Sequence, residues 1–101
     1  MQTHKLDCGG SVRIAIQGKL LLKASSDTKK WKNGWLNKVT TIYKLYQVPG
    51  GTYLIYTKEE DQPGFINCFE KLHDAWKFSG LEEFPSEFSE QLVDLILERV
   101  A

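Results

Sequence analysis

Lys29-Lys30-Trp31-Lys32-Asn33-Gly34-Trp35, with Lys38 just beyond, is the segment whose residue types best suit chemistry on a partner. Ammonium groups attract phosphates. Indole faces stack on unpaired bases, at roughly 1–3 kcal/mol per base. Arg13, Lys19 and Lys23 carry the same positive character toward the N-terminus. The two tryptophans also suit a packing role, in which they plug a sheet edge while the lysines stay solvated.

A second candidate surface is aromatic. All four tyrosines, Tyr43, Tyr46, Tyr53 and Tyr56, fall in one short stretch. A spacing of three along a strand puts partners on opposite faces, so each strand shows one tyrosine per face. One such pair, with Tyr46 and Tyr56 as its members, could form a stacking platform for single-stranded nucleic acid. The alternative is one pair in the core and one covering the far side of the sheet.

His4, Cys8, Cys68 and His73 offer two nitrogens and two sulfurs, the donor set of a tetrahedral zinc site. Their spacing is loose and lacks a tight Cys-x2-Cys pair, so a buried cysteine and a surface histidine are expected instead of a metal. Cys68 and His73 are five apart, which does not bring them together on a helix as a nucleophile and base. Glu82, Glu83, Glu87, Glu90, Asp94 and Glu98 read as a solvated acidic helix face. No glycine-rich phosphate loop and no nucleophile elbow is present. Without a convergent catalytic set, the sequence points away from an enzyme and implies no cofactor.

Charge is divided along the chain. Residues 1–50 hold nine cations and two carboxylates, and residues 51–101 hold four cations and eleven carboxylates. Such asymmetry points to a polyanionic partner, an acidic protein or self-association. At 101 residues, with 42% apolar and 26% charged side chains, the composition is that of one soluble domain. No apolar window is long enough for a membrane span, and the N-terminus lacks an apolar signal core. Two cysteines are few for a secreted domain of this size. Reduced thiols and a cytoplasmic location are therefore expected.

These side chains must be positioned by a sheet and helices. Val12, Ile14 and Ile16 alternate with polar residues, as do Leu20, Leu22 and Ala24, which predicts two strands. A three-residue loop, Gln17-Gly18-Lys19, would join them with Ile16 opposite Leu20. Ser25–Lys38 shows no consistent period and reads as a polar connector. Thr40–Val48 and Thr52–Glu59 are rich in β-branched and aromatic residues and flank Pro49-Gly50-Gly51, which predicts a second hairpin. Phe65–Phe69 leans toward a fifth strand. Glu70–Phe78 reads as a short helix stopped by Gly80. Ser86, Glu87 and Glu90 suit the start of a last helix and Arg99 its end. In that helix Phe88, Leu92, Leu95 and Ile96 share a stripe that Val93, Leu97 and Val100 widen.

The run Gly9-Gly10-Ser11-Val12-Arg13-Ile14-Ala15-Ile16-Gln17-Gly18-Lys19-Leu20-Leu21 resembles a basic strand and Gly-Lys/Arg-Leu-Leu turn of the bacterial EXLDI proteins. Tyr43-Lys44-Leu45-Tyr46 and Tyr53-Leu54-Ile55-Tyr56, separated by a glycine-containing turn, are similar to the Tyr-x-x-Tyr hairpin of that family, and Phe84-Pro85-Ser86 to its Pro-led last helix. The naming motif Glu-x-Leu-Asp-Ile is absent, and Val93-Asp94-Leu95-Ile96 shares only its letters. The resemblance implies a bacterial source and an α+β fold, and it brings no activity with it.

The expected fold is α+β: an antiparallel sheet of four to five strands, made of two consecutive hairpins, with two C-terminal helices on one face. The expected function is a non-enzymatic binding module. Its basic, tryptophan-bearing half would engage an acidic protein surface or a second copy, the latter giving a homodimer. Binding of single-stranded nucleic acid through the same residues is the alternative.

Overall fold

The computed structural model describes residues 2–9 and 12–100. Five antiparallel strands lie side by side in chain order and are followed by two helices. The strands are β1 (Gln2–Gly9), β2 (Val12–Lys32), β3 (Trp35–Gln47), β4 (Tyr53–Glu59) and β5 (Phe65–Phe69). The helices are α1 (Leu72–Leu81) and α2 (Ser86–Val100).

The hairpin around Pro49-Gly50-Gly51 forms as its residues dictate. Thr41 pairs with Glu59 and Gln47 with Tyr53, with unbroken register between them. Gly50 and Gly51 take φ of 94° and 85°, a region that favours glycine because it has no Cβ. The Val48 amide closes the turn on the Thr52 carbonyl at 2.9 Å. Phe65–Phe69 is the expected fifth strand, pairing with β4. α1 runs through Gly80 to Leu81, and Glu83 leaves the helical region at φ 53°. At the start of α2 the Pro85 carbonyl accepts from the Phe88 and Ser89 amides, and Ser86 is the exposed first helical residue.

The first half of the chain departs from the expected short hairpin and polar connector. Gln17-Gly18-Lys19 is not a turn, and β2 runs unbroken from Val12 to Lys32. Ile16 lies opposite His4, and Leu20 lies opposite Tyr46. At Gly18 the strand changes partners: residues 12–18 pair with β1, and residues 19–32 pair with β3. The glycine is needed for close approach, because a Cβ there would sit 2.7 Å from the Gln47 carbonyl oxygen. A bulge between Leu20 and Leu22 adds to the local irregularity. Gly10 and Ser11, where the first strand was expected to begin, lie outside the described residues, as do the side chains of Val12 and Val100.

The polar connector is also a correction. Residues 25–38 continue β2 and β3 as a hydrogen-bonded ribbon, with Lys32 opposite Trp35 at its end.

Two hydrophobic clusters fix the sheet between layers. On one face Ala24, Leu45, Tyr53 and Ile55 meet Leu72 and Ala75 of α1 and Phe88 and Leu92 of α2. On the other, Tyr46, Leu54 and Tyr56 are covered by Leu6 of β1, with Ile16, Val48 and Ile66 packed around them. The sheet curls so that β1 reaches β4, where the Tyr56 hydroxyl donates to the Asp7 carbonyl at 2.6 Å. One tyrosine of each strand thus faces each way, as the spacing of three requires.

Candidate functional site

The end of the β2–β3 ribbon carries the most exposed large aromatics of the chain. Trp31 is 75% exposed and Trp35 74%, and Leu36 beside them is half exposed. Large aromatic side chains usually bury much of their area. The turn between them is built by two residues, Asn33 (φ 51°) and Gly34 (φ 80°). Left-handed conformations at both positions define a type I′ turn, which matches the twist of paired strands. The Asn37 side chain braces the tip by donating to the carbonyls of Lys32 (3.3 Å) and Trp35 (3.2 Å).

Register decides which side chains share a face. Trp31 pairs with Leu36, while Trp35 pairs with Lys32. Residues adjacent along a strand point to opposite faces, so the two indoles stand on opposite sides of the ribbon. They cannot bracket a single base between them. They can be gripped from both sides by a cleft that admits the tip.

The cations beside them are partly engaged within the chain. Lys30 pairs with Glu59 and Lys32 with Asp61, both on the side of Trp35. Lys38 pairs with Asp27 at 3.3 Å on the side of Trp31. The Thr40 hydroxyl also donates to Asp27 at 2.7 Å. That hydrogen bond first, and Lys38 second, hold the Asp27 carboxyl below the usual carboxylate range. Exposed pairs of this kind are worth about 0–1 kcal/mol, so a carboxylate on a partner can replace them. Lys29 is exposed on the Trp31 face, opposite Lys38.

The remaining expected site residues are not gathered here. Lys19 and Lys23 are exposed at the base of the ribbon, opposite Gln47 and Lys44. Arg13 lies opposite Asp7, in the part of β2 that pairs with β1. Tyr46 and Tyr56 are 1% and 6% exposed. With the His4 ring 4.7 Å from Tyr46 and Leu6 above them, they present no face to a base. Burial pushes both phenols above their ordinary range.

His4 is a strand residue, 3.1 Å from the Gly18 carbonyl, and His73 lies on α1 beside Trp76. Cys8 and Cys68 are free thiols. Among the described residues, no cluster of three or more His, Cys, Asp or Glu side chains is placed to hold a metal. Among the described residues, no helix is long and apolar enough to cross a membrane.

Leu36 and the Asn33-Gly34 turn are parts of the site that the reading of residues 25–38 as a connector passes over. The signal was local: Asn-Gly between two extended runs is a strong mark of a two-residue hairpin.

No protein-family model matches the chain, and no curated protein or solved structure matches it.

Proposed function

We propose that this protein is a small bacterial, cytoplasmic, non-enzymatic binding module whose working element is the ribbon tip. It engages an acidic protein surface through Trp31, Trp35 and Leu36, with Lys29, Lys30, Lys32 and Lys38 around them. One observation carries the reading: two tryptophans about three-quarters exposed at the end of a hydrogen-bonded ribbon. Tryptophan is prominent among the residues that dominate binding energy at protein interfaces. A partner rich in carboxylates would satisfy the lysines as it covers the indoles. The free thiols of Cys8 and Cys68 accord with a reducing compartment.

Fluorescence titration of the full chain tests this reading. The probes are a synthetic helical peptide rich in glutamate and leucine, and single-stranded DNA and RNA, each at low and high salt. A dye-labelled peptide should gain fluorescence anisotropy on binding, and Trp31→Ala with Trp35→Ala should abolish the gain. Binding of the oligonucleotides with steep salt dependence, and no response to the peptide, would overturn the reading in favour of a nucleic-acid ligand.

A further inference from the structure

A second exposed apolar feature lies on the helices. α1 and α2 leave an open cleft of about 570 Å³ lined by Trp76, Ser79, Gly80, Leu81 and Ser89, with Lys77 at its side. It continues past Trp76 to Val93, with Glu90 and Asp94 on that border. Leu81 is 83% exposed and Trp76 40%. The small residues at the crossing make the room: Ser79 is buried, donates to the Trp76 carbonyl at 2.7 Å and meets the Ser89 hydroxyl at 3.3 Å.

We infer that this cleft receives the Trp31/Trp35 ribbon tip of a second copy of the chain. The inference rests on the ribbon being the binding element and names its partner. The two surfaces are complementary in charge. Glu90 and Asp94 stand on the cleft border beside Lys77. The tip brings exposed Lys29 together with Lys30, Lys32 and Lys38, whose exposed pairs with Glu59, Asp61 and Asp27 a partner's carboxylates can replace. Both are apolar as well: the cleft offers Trp76 and Leu81 from α1 and Val93 from α2 as ground for the indoles.

A chain cannot satisfy its own cleft. Tyr43 packs on Phe84, 4.6 Å between rings, in the connection between the helices. Trp35 lies eight residues further along β3, about 27 Å at strand rise. The paired ladder between them holds the ribbon extended. The same offset in both copies allows a two-fold arrangement in which each tip enters the other's cleft, and such an interface closes on itself. All three tryptophans of the chain then meet at one kind of contact.

Sedimentation and tryptophan emission of the full chain, over a concentration series at low and high salt, test the inference. Two double variants at exposed positions accompany the wild type: Trp31→Ala with Trp35→Ala at the tip, and Leu81→Lys with Val93→Lys at the cleft. Circular dichroism checks that both are folded. The wild type should approach two chains per particle as concentration rises, less readily in high salt, with emission moving to shorter wavelength. Each variant alone should remain a single chain. An equimolar mixture of the two should associate, because one intact tip meets one intact cleft. A wild type monomeric throughout, a mixture that fails to associate, or a dimer that survives in either variant would overturn the inference. A monomeric wild type that still binds the acidic peptide through its tip would overturn only the second copy as partner. A dimer lost with the cleft variant but kept with the tip variant would overturn the ribbon reading as well. Tryptophan shifts on anionic phospholipid vesicles from a chain that stays monomeric would also overturn it.

Discussion

The Tyr56 hydroxyl donates to the carbonyl of Asp7 at 2.6 Å, across 49 positions of sequence. This bond ties β1 to β4 and holds the first hairpin over the back of the sheet. Tyr56→Phe removes the donor and leaves a half-buried carbonyl short of a partner. The expected loss is about 1–2 kcal/mol, read as a lower denaturation midpoint with an unchanged denaturant slope. An unchanged midpoint would show that β1 is held by apolar packing alone.

Burial raises the pKa of both Tyr46 and Tyr56. A group whose folded pKa lies above its unfolded value gives stability that is fully present below the unfolded pKa, about 10 for tyrosine. That stability is lost as pH rises through the folded pKa. The protein should therefore destabilise in alkali, with part of its phenolate absorbance appearing late and together with unfolding. Tyr46→Phe should remove part of that alkaline loss. If Tyr46 and Tyr56 ionise reversibly near pH 10 in the folded chain, the back of the sheet is open to water.

Gly64 lies where β1 crosses the end of the β4–β5 loop. A Cβ there would overlap the Asp7 carbonyl oxygen and lie 2.7 Å from the Tyr56 ring. Gly64→Ala should therefore cost about 1–3 kcal/mol by overpacking. Amide exchange should quicken first in β1, where the strain is relieved most easily. Uniform loss of protection across the sheet would argue against β1 as the element that yields.

Leu92 and Leu97 lie on one helix in different surroundings, 0% and 62% exposed. Leu92→Ala should cost about 2–4 kcal/mol as a buried large-to-small change. Ile96→Ala should cost less, because Ile96 only borders the core cluster. Leu97→Ala should stay within about 0.5 kcal/mol. Thermal or urea unfolding of the three variants gives the order directly. Equal costs at 92 and 97 would mean that α2 is rotated on the sheet.

Local chemistry in the sequence determined the strands on either side of Pro49-Gly50-Gly51 and the last helix, and left Phe65–Phe69 between a strand and a helical turn until pairing with β4 settled it. Turn residues and apolar periods act over a few positions and need no tertiary partner to be read. The facing of the four tyrosines followed in the same way, from a spacing of three. Tertiary structure alone decided the roles of Gly18 and of Tyr46 and Tyr56, whereas the ribbon of residues 25–38 had a local mark in Asn33-Gly34 but no apolar period. A glycine looks the same whether it makes a turn or admits a neighbouring backbone, and only the packed Gln47 carbonyl distinguishes the two. Residues 25–38 lack a period because both faces of a projecting ribbon meet water, so no buried side imposes alternation. Spacing of four would place Trp31 and Trp35 on one face of a single strand. The Asn33-Gly34 turn between them reverses the chain and sets them on opposite faces. Tyr46 and Tyr56 are denied to a ligand because β1 folds over them, a contact made across a long span of sequence.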